Sequence, residues 1–197
     1  MSKFRELKLN TDKTMVSFDV TPLFTSIPTH NALTTVKRRL EEDNTLSPRS
    51  SLNPDQICLL LDLCLSTTYF TYIGDLYRQK HGCAMGSLVS PIVANLYMEE
   101  VEKKGTNPIQ GVTLTRWLRY VDDTWVTIKI QEVQIFTDLI NAVDPNIKFS
   151  REDTKDNQLA FPDYEVIIGS NSSLGIEIYR KPTHTYGLTL ITHCNTN

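Results

Sequence analysis

The stretch RWLRYVDDTWVTI, residues 116–128, decides the fold, because it sets two adjacent carboxylates between two runs of β-branched and aromatic residues. Such runs favour strands, so 117–121 and 124–128 read as a hairpin with Asp122 and Asp123 at or near its tight turn. An Asp-Asp pair alone is an ordinary turn feature, since aspartate bonds local backbone and tolerates turn geometry. A third carboxylate changes the weight. Asp19 lies near the end of KTMVSFDV, residues 13–20, a second strand-like run that Pro22 stops. If the two strands are neighbours, three carboxylates converge, and like charges about 4 Å apart repel by on the order of 4 kcal/mol per pair at an effective dielectric near 20. Such a cluster needs protons or cations. All-oxygen ligands select hard divalent ions, Mg2+ or Mn2+, which with substrate phosphates points to two-metal phosphoryl transfer.

Working outward, THNALTTVKRRLEED at 29–43 reads as a helix with Ala32, Leu33, Val36 and Leu40 at helical spacing. Asn53-Pro54-Asp55 opens a second helix with a cap, a proline in the first turn and an acid after it. Its apolar run, Ile57 to Leu65, predicts that it is largely buried. TYFTYIGDLYRQKHG at 68–82 reads as a hairpin turning at Gly74-Asp75. SPIVANLYMEEVEKKG at 90–105 is punctuated as a helix: Ser90 as N-cap, Pro91 next, Lys103-Lys104 in the last turn and Gly105 just beyond. A further helix is expected over 132–142, and strands over 147–151, 164–168 and 174–179. The pattern predicts an α+β fold, with the Asp19 strand beside the 117–128 hairpin in an antiparallel sheet and helices on one face.

The chain has 197 residues, 40% hydrophobic and 22% charged, which suits one ordinary globular domain. No apolar run approaches the roughly 20 residues that span a bilayer, and the N-terminus lacks the apolar core of a signal peptide. Cys58, Cys64, Cys83 and Cys194 show neither metal-type nor disulfide-type spacing, so an intracellular location, nucleus or cytoplasm, is expected. A net charge of −3 argues against holding nucleic acid by bulk charge. The one basic run, Lys37-Arg38-Arg39, reads as a solvated helix face.

Taken in order, FDVTPLF (18–24), GCAMGSLVSPIVANLYME (82–99) and RYVDD (119–123) resemble the three palm blocks of reverse transcriptases. The wording is most similar to the Penelope-like retroelement family, whose later blocks have counterparts in LAFPD (159–163) and YRKPTHTY (179–186). The resemblance implies RNA-directed DNA polymerase activity, with an RNA template, a DNA primer and dNTPs as partners and Mg2+, or Mn2+, as cofactor. It implies that Asp19 and Asp122 hold the metals with Asp123 beside them. Phe24 matches a steric gate against a ribose 2′-hydroxyl, Gly86 and Ser87 the turn beside the nascent base pair, and Tyr120 the aromatic at the site's edge, where a core-facing role is equally open. LAFPD matches the turn that holds the primer end.

Lys148 falls where a leaving pyrophosphate is protonated in many polymerases, but a lone exposed lysine is the better reading. His184, His193 and Cys194 are too irregularly spaced for a metal site. Pro22, Leu88 and Pro162 depart from the family's serine, proline and leucine. The expected architecture is one partial reverse transcriptase domain over 1–197, with a palm core at about 14–168 and the start of a post-palm region at 169–197. Fingers largely, and the thumb, are expected to be missing and to belong to a longer polyprotein. The alternative reading is a truncated, catalytically inactive palm that acts at most as a binding protein.

Overall fold

The computed structural model describes residues 8–106, 112, 114–162 and 164–178. The 13–20 run forms β1 (Lys13–Val20), followed by a helical turn (Leu23–Ser26), helix α1 (Thr29–Glu41), a second short turn (Leu46–Arg49) and helix α2 (Pro54–Ser66). Then come β2 (Tyr69–Tyr72), β3 (Asp75–Arg78), helix α3 (Ser90–Gly105), β4 (Arg116–Tyr120), β5 (Asp123–Lys129) and helix α4 (Val133–Ala142). Four short strands end the described chain: β6 (Phe149–Asp153), β7 (Gln158–Phe161), β8 (Tyr164–Ile168) and β9 (Leu174–Ile178). YRKPTHTY, His193 and Cys194 lie outside the described residues.

The main sheet has the order β4-β5-β1-β6, and every neighbouring pair is antiparallel. The Asp19 strand is therefore the direct neighbour of the 116–129 hairpin, as the sequence pattern predicts. Alternation divides β1: Val16, Phe18 and Val20 face the helices, and Met15 faces the other side. On the helix side Phe18 meets Phe136 edge-on at 5.7 Å and Trp117 at 6.3 Å, and Val93, Tyr97 and Met98 of α3 complete the core. On the opposite side a three-stranded sheet, β7-β8-β9, packs Leu159, Val166 and Leu174 against Met15 and Trp125. The sequence pattern foresees β8 and β9 as strands, but neither β7 nor their packing as a second layer, which depends on contacts distant in sequence.

Several local expectations shift. Asn53 caps α2 through a reciprocal pair: Gln56 N–H donates to Asn53 Oδ1 at 2.9 Å and Asn53 N–H to Gln56 Oε1 at 3.0 Å. Yet α2 is not largely buried. Only Leu65 is enclosed, while Leu59, Leu60 and Leu63 are exposed, because its packing within the described residues is against one face of α1. Ser90 does not cap α3. Val89 holds the cap position, Ser90 is buried, and Ser87 Oγ instead accepts the Val89 N–H at 3.3 Å. The β2–β3 turn is Ile73-Gly74, one residue earlier than the pattern suggests. Lys37-Arg38-Arg39 is not a free basic patch: Lys37 pairs with Asp55 at 2.7 Å, Arg38 with Glu100, and Arg39 with Glu99 at 3.0 Å, tying α1 to its neighbours.

Candidate active site

The register of the sheet builds the site. Asp19 lies directly opposite Asp123 across the β1–β5 pair, and Asp123 lies opposite Tyr120 across β4–β5. On the other side Asp19 is opposite Ser150 of β6, whose hydroxyl donates to the Asp19 carbonyl at 3.2 Å. Residues directly opposite in an antiparallel pair share a face. Tyr120, Asp123, Asp19 and Ser150 therefore form one row across the end of the sheet, on the face away from the helices. The Thr21 hydroxyl donates to Asp19 Oδ2 and fixes that carboxylate.

The three predicted carboxylates are not placed alike. Asp123 begins β5 and opposes Asp19, whereas Asp122 sits with Val121 in the two-residue turn before it. Successive residues diverge in direction, so the expected convergence of three becomes an opposed pair with a neighbour in the turn. Among the described residues no group of three or more His, Cys, Asp or Glu side chains could hold a metal ion. The donor set fits Mg2+ in the form that takes one or two carboxylates and completes its shell with water and phosphate oxygens. Two carboxylates facing each other across a ladder also destabilise the sheet, which a cation would offset.

Val121 adopts φ 57°, a left-handed conformation that a β-branched residue rarely takes. What holds it is a group that sequence reasoning did not single out. Arg119 sends Nη1 to the Val121 carbonyl at 3.1 Å, Nη2 to Asn95 Oδ1 at 2.9 Å and Nε to Glu102 Oε1 at 2.5 Å. The Trp117 indole N–H donates to the same Glu102 oxygen at 2.9 Å. Both partners of the Arg119–Glu102 pair are largely buried. The signal was in the quoted block, since Arg119 is the first residue of RYVDD. Its acidic partner lies in α3, where nothing local marks it.

Of the other predicted residues, Tyr120 is 63% exposed and so does not face the core. Phe24 lies in the Leu23–Ser26 turn, half-buried against the main core. Its carbonyl accepts the Cys83 N–H at 2.7 Å, which ties it to the 82–88 loop. The tie is close: a Cβ on Gly82 (φ 73°) would stand 2.4 Å from the Thr25 Cα, so only glycine fits. Burial pushes the Cys83 thiol up to about 11, so it stays protonated and inert. Gly86 (φ 87°) is exposed with open space beside it, and Ser87 is half-buried. Lys148 is exposed and donates to the Asn141 carbonyl at 3.3 Å. Most of LAFPD is strand rather than turn: Leu159–Phe161 end β7 and Pro162 follows, so Pro162 removes no ladder donor.

The fold is similar to that of telomerase chains. An apo telomerase from Candida tropicalis, truncated from its C-terminal domain, superposes with a TM-score of 0.62 over 85% of this chain at 16% identity. Telomerase from Candida albicans, in complex with a fragment of telomeric RNA, gives 0.65 over 87% at 13% identity. This chain spans about a third of those telomerase chains, 35% and 32%. No family profile and no curated protein sequence matches it. Among the described residues no helix is long and apolar enough to cross a membrane. The likeness to telomerase is one of fold: antiparallel sheets with helices on one face of the larger.

Proposed function

We propose that the chain carries the palm of an RNA-directed DNA polymerase of Penelope-like retroelement origin, transferring a deoxynucleotide from a dNTP to a primer 3′-hydroxyl. The observation that carries this reading is the opposition of Asp19 and Asp123 at the end of the sheet, with Asp122 in the adjoining turn. The order of the sequence blocks and the fold shared with telomerase chains support it. In the reaction the primer 3′-oxygen bonds to the α-phosphorus, the bond from that phosphorus to the bridging oxygen of the β-phosphate breaks, and pyrophosphate leaves. Mg2+, or Mn2+, held by Asp19 and Asp122 with Asp123 beside them, would acidify the 3′-hydroxyl and neutralise triphosphate charge.

The chain's own residues position the reactants. The Phe24 ring, held through its carbonyl by Cys83, stands as the gate against a ribose 2′-hydroxyl. Gly86 and Ser87 line the loop where backbone approaches the new base pair, and the exposed Tyr120 borders the row of carboxylates. An RNA template and a DNA primer are the partners this chemistry requires.

Primer extension on an RNA template with Mg2+ or Mn2+, comparing the wild type with the Asp122→Asn/Asp123→Asn double variant, tests the proposal. The expected result is extension that the double variant loses. A folded wild type that never extends a primer would refute polymerase activity for this chain and favour a palm that only binds.

A further inference from the structure

We infer that Arg119 is a positioning residue of the carboxylate turn. Held by Glu102 and Asn95 of α3, its guanidinium grips the Val121 carbonyl and sets the direction in which Asp122 and Asp123 meet a divalent cation. The inference rests on the metal-binding role proposed above and goes beyond it, by naming what the bare turn lacks.

Three observations carry it. First, Val121 occupies a conformation it does not favour, so the turn holds its shape only if the surroundings over-determine it. The Arg119 bond falls on the carbonyl of Val121, the peptide that leads into Asp122. Second, the guanidinium has one fork on the turn and the other on α3, where Asn95 donates from Nδ2 to Glu99 Oε1 at 2.9 Å and Glu99 pairs with Arg39 of α1. The turn is thus tied through side chains to two helices of the core. Third, Glu102 takes donors from both Arg119 and Trp117, which fixes two residues of β4 at one oxygen. Arginine is the side chain that can serve three acceptors in one plane; lysine, a compact point charge, cannot.

The test is Mn2+ binding to the full chain, read from the free-ion signal in electron paramagnetic resonance, for the wild type, Arg119→Ala, Arg119→Lys, Glu102→Gln and Asp122→Asn. Loss of a supporting group of this kind weakens metal affinity by roughly tenfold or more. Arg119→Ala is expected to show such a loss, Arg119→Lys to recover little of it, and methylguanidinium added to Arg119→Ala to restore it. A residue that served stability alone would not give rescue by a small cation in a protein already folded. If Arg119→Ala does not fold, Glu102→Gln, which keeps the shape but weakens the hold, decides by the same readout. Unchanged Mn2+ affinity in a folded variant, with Asp122→Asn impaired, overturns the inference and leaves the proposed function standing. A wild type that binds no Mn2+ overturns both.

Discussion

The molecule contains two hairpins that look alike in sequence and differ in almost everything else. Both join short aromatic-rich strands through two residues, Ile73-Gly74 in one and Val121-Asp122 in the other. The eight ladder residues of β2–β3 are all exposed, including Tyr69, Phe70, Tyr72 and Tyr77. In β4–β5, residues 124–128 are all buried. In the first turn both residues have positive φ, 50° and 85°, which matches the twist of a two-residue hairpin. In the second the positive φ falls on Val121, where glycine would be the relaxed choice. Strand propensity produced both hairpins. What separates them is the second layer: helices and the β7–β9 sheet cover one, and within the described residues the other stands as a two-stranded ribbon. Each turn carries a β-branched residue at positive φ, Ile73 in one and Val121 in the other, but only the second has a core beneath it and a side-chain bond on its carbonyl.

The largest break in that comparison should come from the core side. Trp125 is fully buried between the two sheets, and Trp125→Ala is expected to cost about 3–5 kcal/mol in urea unfolding. Phe70 stacks on Tyr77 at 5.6 Å but is half open to water, so Phe70→Ala should cost about 1 kcal/mol. Equal losses at the two positions would mean that the β2–β3 ribbon is as well supported as the main sheet, and the contrast would fail.

What was legible in the sequence follows the same division. Elements with local causes were readable: the alternation of 13–20, the Asn53-Pro54 start of α2, and the Pro91 and Lys103-Lys104 punctuation of α3. Long-range facts were not. An apolar run such as Ile57 to Leu65 predicts burial, but exposure depends on whether something lies over it, and Leu59, Leu60 and Leu63 have open faces. Which aspartate opposes Asp19 depends on turn placement to a single residue, and the structure moves the turn so that Asp123 is the one. Arg119 meets Glu102 and Asn95 only after α3 packs under β4, so no spacing rule could reveal the clamp.

Polar support in the covered half should also show as pH dependence. The Tyr97 hydroxyl donates to Asp144 Oδ2 at 2.5 Å from the buried face of α3. Burial raises the Asp144 carboxyl, but the Tyr97 hydroxyl and the N–H groups of Asn146 and Ile147 outweigh it and hold it below its ordinary value. Burial, then Asp144, pushes the tyrosine itself upward, so it remains a donor across the working range. A carboxyl lowered in the folded state contributes stability above its unfolded value, about 4, and loses it as pH falls through the folded one. Tyr97→Phe should therefore cost about 1–2 kcal/mol at neutral pH and less in acid, a flatter profile below pH 4 than the wild type shows in denaturant titrations. A uniform loss at every pH would assign the effect to packing rather than to this bond.

The smallest effect bears most directly on the two turns. Ile73 and Val121 are both β-branched at φ near 50–57°, so glycine at either relieves left-handed strain of about 1–2 kcal/mol, while the freer unfolded chain takes back about 1. Each substitution should stabilise the fold by roughly 1 kcal/mol at most. Their consequences at the site should diverge. Ile73 turns a separate two-stranded sheet that contains none of the carboxylates, and Ile73→Gly is expected to leave Mn2+ binding unchanged. Val121→Gly loosens the peptide that Arg119 grips, so a more stable protein should bind Mn2+ more weakly. Stability rising together with affinity at position 121 would show that the strain there serves no purpose, and that the turn finds its geometry without it.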